Sequence, residues 1–139
     1  GTPRIKQDIE VTADDVANYH LVLWGDPESN VVIKRLAEWG PIRWGEKTID
    51  VGERQFASAG HVPVYIYPNR EALNRYIVVN SGPTFREGHD RTNSLQNPKL
   101  PDWAIVDLSQ PPDTLAPGKI VAGDFFDEAW QLKPVEVDE

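Results

Sequence analysis

The chain has no cysteine and no methionine among its 139 residues. Without cysteine there is no disulfide, no thiolate metal ligand and no thiol nucleophile. Without methionine there is no initiator, and the sequence is expected to be a piece of a longer chain. Long apolar runs are missing too. Nothing approaches the roughly 20 residues needed to span a bilayer, and no charged-then-apolar leader precedes the first apolar run, so no membrane insertion is expected. Positive charge is scarce, with 14 Lys and Arg against 22 Asp and Glu. A nucleic-acid backbone or an anionic lipid surface would meet a repulsive mean field, and neither is expected as a partner.

What is present suits one folded domain over residues 1–139, with 1–10 and 134–139 as extended ends. Apolar residues make up 40% and charged residues 26%, ordinary values for a globular protein, and 12 prolines imply many fixed turns. No internal repeat or low-complexity linker divides the chain.

Thr12-Ala-Asp-Asp15 predicts a helix start, because the Thr hydroxyl can accept from a backbone N–H three residues on and the two Asp favour the positive helix end. That helix should end near Tyr19. Leu21 to Trp24 is a continuous apolar run, which predicts a strand covered on both faces. After the turn Gly25 to Ser29, apolar residues at Val32, Ile33, Leu36 and Ala37 fall at helical spacing, and Gly40-Pro41 supplies the stop. Ile42/Trp44 and Ile49/Val51 alternate, so 42–56 reads as short strands or a hairpin. "HVPVYIYPN" and "RYIVVNSG" are two further strands. Their connection is too short for an ordinary crossover helix, which makes an antiparallel pair the simpler arrangement and a parallel one the alternative. "WAIVDL" and "KIVAGDFF" are strands as well. One or two helical turns are expected over Phe85 to Arg91, and a short terminal helix over Asp127 to Leu132. These elements predict a three-layer α/β/α domain with a mixed, mainly parallel sheet of about five strands, Rossmann- or flavodoxin-like.

The strand–turn–helix "HLVLWGDPESNVVIKRLAEWG" has the layout of an anion site, with free N–H groups at a helix start. Its chemistry differs from one. No Gly-rich fingerprint or Gly-Lys-Ser/Thr end is present. Asp26 and Glu28 place carboxylates where phosphate would sit, and Ser29 or Asn30 can cap the helix. A self-capped turn is therefore the favoured reading. A small-ligand or carbohydrate site remains the alternative, at the strand ends near Gly25, Asp26, Asn30, Asn80, Ser81 and Gly82. His20, His61 and His89, the last beside Asp90 and Arg91, fit no compact metal spacing, and strand-edge or capping roles suit them better. No Gly-x-Ser-x-Gly elbow occurs. A trio of Ser81, His89 and Asp107 can be drawn, but Pro83 removes an N–H from its oxyanion region. No catalytic residue, metal ligand or cofactor is assigned. The five Trp suit core or interface packing better than a sugar platform.

"PRIKQDIEVTADDVANYHLVLWGDPESNVVIKRLAEWGPIRW", "HVPVYIYPN", "RYIVVNSGPTFRE", "RTNSLQNPKLPDWAIVDL" and "IVAGDFFDEAW" together resemble the C-terminal region that follows the catalytic domain in a group of large bacterial hydrolases. These are prolyl-oligopeptidase-like or acetyl-xylan-esterase-like α/β-hydrolases, many of them exported. The resemblance covers nearly the whole chain and implies placement rather than chemistry. It implies a non-catalytic accessory domain, the catalytic α/β-hydrolase domain of the same parent chain as partner, and a periplasmic or extracellular location. The family's Ser-His-Asp machinery lies in the preceding domain and matches no position here. One departure is Tyr67 to Arg75, where two prolines of an expected "YPNPLNP" are absent, which should loosen that turn.

Overall fold

The computed structural model describes residues 4–81, 101–109 and 119–133. After a 3-10 turn at Asp8–Glu10 come helix α1 (Ala13–Asn18), strand β1 (Leu21–Trp24) and helix α2 (Val31–Leu36). Three short strands follow, β2 (Ile42–Trp44), β3 (Thr48–Val51) and β4 (Arg54–Ala57), then β5 (His61–Pro68), β6 (Tyr76–Asn80), β7 (Trp103–Asp107) and β8 (Lys119–Asp124).

The larger sheet runs β1-β6-β5-β7-β8, and β2-β3-β4 form a separate antiparallel meander. Only β1 and β6 are parallel; β6–β5, β5–β7 and β7–β8 are all antiparallel. The three-layer, mainly parallel Rossmann- or flavodoxin-like expectation is therefore overturned: the described fold is mostly β, with two sheets. The physical reason is the length of the connections. A parallel crossover needs a dozen or more residues, usually with a helix, whereas β5 and β6 are joined by a tight turn across 69–75. Asn69 N–H donates to Arg75 O at 2.8 Å and Asn69 Oδ1 accepts from Glu71 N–H at 2.9 Å, which closes that turn. The two helices have six residues each, too few to roof both faces of a five-stranded sheet.

The core forms on one face of the larger sheet. Leu23, Ile77, Val79, Tyr65, Trp103 and Ile105 meet Ile33 and Leu36 of α2, and Ile42, Ile49 and Val51 bring the small sheet onto the same face. Val16 of α1 shares a small cavity with Leu21, Leu23 and Leu36, so both helices lie on this side. "LVLW" was expected to be covered on both faces, but β1 is an end strand. Leu23 is buried while Val22 and Trp24 are 58% and 49% exposed.

α1 starts where the sequence places it. Thr12 Oγ1 accepts from Asp15 N–H at 3.1 Å, and the Asp15 carboxylate accepts from Thr12 N–H at 3.0 Å, a reciprocal capping box. Lys6 Nζ lies 2.7 Å from the same carboxylate. Lys6 first and then the Thr12 N–H hold the Asp15 carboxyl down at about 2. Because the folded value lies below the unfolded one, the stabilisation is complete above about pH 4 and disappears as pH falls through about 2. In Lys6→Ala the Asp15 titration, followed by carboxyl-carbon NMR, is expected to move up toward 3.8. An unmoved midpoint would remove Lys6 as the principal cause.

The terminal helix expected over Asp127 to Leu132 is instead a turn. Asp127 Oδ1 accepts from both Ala129 and Gln131 N–H, and Trp130 takes a left-handed φ of 59°. An Asp side chain that captures nearby N–H groups competes with helix formation. The helical turns expected over Phe85 to Arg91 lie outside the described residues. Residues 1–10 were expected to be extended, but they include the 3-10 turn; 134–139 are not described.

Candidate functional site

The carboxyl ends of β1 and β6 bring Gly25, Asp26, Asn30, Asn80 and Ser81 together, since Trp24 pairs with Asn80 and Gly25 N–H donates to Asn80 O at 3.1 Å. Gly82 lies outside the described residues. Gly25 has φ +108°, which favours glycine, and a Cβ there would stand 2.5 Å from Ser29 Oγ and would have to displace that hydroxyl.

The turn answers its own electrostatics. Asp26 Oδ1 accepts from Glu28 and Ser29 N–H, both at 2.9 Å. Asn30 Oδ1 caps α2 by accepting from Val32 and Ile33 N–H at 2.9 and 3.1 Å, and its Nδ2 donates to Trp24 O at 3.1 Å. The remaining orphan, Val31 N–H, donates to Asp8 Oδ2 at 2.7 Å. Every free N–H of the first turn of α2 thus has a side-chain acceptor, the Asn30 amide for two and the Asp8 carboxylate for the third, with the Asp26 carboxylate just before it, and an anion would have to displace them. Asn30→Ala is expected to cost about 1–2 kcal/mol in urea unfolding, because it leaves two N–H groups uncapped and breaks the tie to β1. A cost under a few tenths would show that water replaces the cap.

The other candidates are scattered. His20 precedes β1, where its Nδ1 accepts from Tyr76 N–H at 3.0 Å and its ring stacks on Tyr76. His61 opens β5 with Nδ1 2.9 Å from Ala57 O. His89 is outside the described residues, so the trio with Ser81 and Asp107 is not assembled among those described. Asp107 ends β7, where Ser109, through its hydroxyl and then its N–H, holds the carboxyl below the usual range. Ser81 N–H donates to Pro63 O, and its Oγ is buried with no hydrogen-bond partner among the described residues. Among the described residues no group of three His, Asp or Glu is placed to hold a metal.

The feature that sequence reasoning missed is the outer edge of β1. A groove of about 470 Å³ runs along it, between the strand and a wall made by Arg4, Lys6, Asp8, Val11, Asp15 and Tyr19. Ser29 and Asn30 close one end. Trp24 is the tryptophan left exposed here; Trp39 and Trp130 join Tyr67 and Phe126 in an aromatic cluster, and Trp103 is buried. The signal was weak, because an all-apolar strand reads alike at an edge and in a sheet centre.

No family model, no curated protein and no solved structure matches this chain. Among the described residues no helix is long and apolar enough to cross a membrane.

Proposed function

We propose that the chain is a non-catalytic accessory domain that docks, through the open edge of its larger sheet, onto the catalytic α/β-hydrolase domain of its parent chain. One observation supports docking. Of the eleven large hydrophobic residues exposed among those described, three (Tyr19, Val22 and Trp24) line one groove along β1. Scattered apolar residues are normal on a surface, whereas a contiguous cluster marks an interaction site. The identity of the parent as a prolyl-oligopeptidase-like or acetyl-xylan-esterase-like hydrolase, and its export, rest on the sequence resemblance.

Two measurements test the proposal. An antibody raised against this domain should detect, in periplasm or culture fluid, a protein several times longer than 139 residues. Hydrogen exchange at residues 19–24 should be slower in that protein than in the isolated chain. A native product of this chain's own size, or equal exchange in both, overturns it.

A second reading, a small-ligand or carbohydrate module, is favoured by the Ser81 Oγ at the strand ends, which has no partner among the described residues. It predicts a thermal shift with some member of a panel of sugars, nucleotides and divalent cations, abolished in Ser81→Ala. No shift at millimolar ligand removes it.

A further inference from the structure

β1 offers half of its backbone to solvent. The bond from Gly25 N–H to Asn80 O fixes the ladder so that Leu21 and Leu23 turn their polar groups toward β6. Val22 and Trp24 therefore turn theirs outward. Trp24 O is taken by Asn30 Nδ2, and no described strand pairs with the others. These groups face the groove, and the exposed Val22 and Trp24 side chains project together from one face of the strand.

The charges along the groove differ in their availability. Asp8 is held by Val31 N–H, and Asp15 by Lys6 and the Thr12 N–H. Arg4 lies 5.2 Å above the Tyr19 ring and has no carboxylate partner among the described residues. The groove thus combines an unpaired strand edge, two apolar side chains and one unneutralised cation. The carboxylates that a second copy of this chain would bring to such an edge, Asp8 and Asp15, are already held, so a partner with a free carboxylate suits Arg4 better.

We propose that β1 accepts an extended segment of a partner polypeptide by strand addition, with apolar side chains over Val22 and Trp24 and a carboxylate facing Arg4. Backbone hydrogen bonds would supply the attachment, and the Arg4 contact its polarity and register. This deepens the docking reading above and rests on it.

The test is an NMR titration of the isotope-labelled 139-residue chain with acetyl-Glu-Val-Thr-Val-Glu-Val-amide at millimolar concentration. Saturable shifts are expected at the Val22 and Trp24 amides and the Trp24 indole. Affinity for this peptide should fall several-fold in Arg4→Glu, and the unaltered chain should bind several-fold more weakly when the peptide's Glu residues are replaced by Lys. Val22→Pro, which removes an outward N–H that β6 does not use, should abolish binding while the remaining spectrum stays folded. Absence of shifts, shifts centred away from β1, equal affinity for the Glu and Lys peptides, or undiminished binding by Val22→Pro each overturns strand addition. Slowed exchange at 19–24 in the parent protein, together with a silent peptide, would sink strand addition alone. Equal exchange there would sink the docking reading whatever the peptide does.

Discussion

Replacing Trp103 by alanine is expected to lower the unfolding free energy by about 3–5 kcal/mol, the usual range for removing a large buried aromatic. Trp103 is 4% exposed, pairs in register with Tyr65 at the centre of the larger sheet, and belongs to the core that α2 and the small sheet share. Its neighbour Asp102 accepts from Phe126 N–H at 3.0 Å, which draws Phe126 onto the same core. Urea unfolding should show a lower midpoint with an unchanged slope. Trp103→Phe should cost much less, about 1–2 kcal/mol. It keeps most of the apolar area and removes an indole N–H that is buried without a partner among the described residues. If the alanine variant lost under about 1 kcal/mol, the site would have to collapse around the missing ring, against the usual stiffness of a packed core.

Ile33→Ala is the second large effect, expected at about 2–5 kcal/mol. Ile33 is fully buried on a helix of six residues. A helix that short has no independent stability, so it persists only through the face it buries and the caps at its start. Loosening α2 should also loosen what α2 holds, namely the Asn30 tie to Trp24 O and the Asp8 contact to Val31 N–H. Hydrogen exchange should therefore rise along 31–37 by more than the global loss alone requires. The neighbouring Val31, about half exposed, provides the control, and its alanine variant should stay within about 0.5 kcal/mol. Equal losses at the two positions would contradict the orientation of the helix.

Features decided within a few residues were legible in the sequence. Thr12 caps α1 as expected, and of the two residues offered for α2, Ser29 or Asn30, it is Asn30 that caps, because capping depends on side chains two or three residues from the N–H they accept. The apolar runs at Leu21, His61, Tyr76, Trp103 and Lys119 all became strands, and the tight connection correctly favoured β5 antiparallel to β6. Features that depend on distant partners were not legible. "LVLW" does not reveal which face lies open, since that is set by what packs above it. Strand directions across β5–β7–β8 and the separation of 42–57 into its own sheet are likewise tertiary outcomes. At the site, the carboxylates of Asp26 and Glu28 were expected to take the free N–H groups and Ser29 or Asn30 to cap α2; Asp26 and Asn30 do so, and among the described hydrogen bonds the Glu28 carboxylate accepts none. Asp8 was not recognised, because it reaches Val31 from 23 residues away. The Asp127 turn failed for the opposite reason: a local competitor outweighed helical spacing.

The parallel pairing of β1 with β6 has a kinetic consequence. His20 and Tyr76, which meet at the start of that pair, are 56 residues apart, whereas β2–β3–β4 and β5–β6 close through short turns. Each doubling of a loop adds about 0.6 kcal/mol of closure entropy, and long-range pairings form slowly. The small meander and the β5–β6 hairpin should therefore assemble first, with β1 added late. Mutations in β1 should then leave the folding rate nearly unchanged and accelerate unfolding. The strand that carries the proposed docking edge would thus be the first to open, so a partner bound there would act as a kinetic clamp on the whole domain.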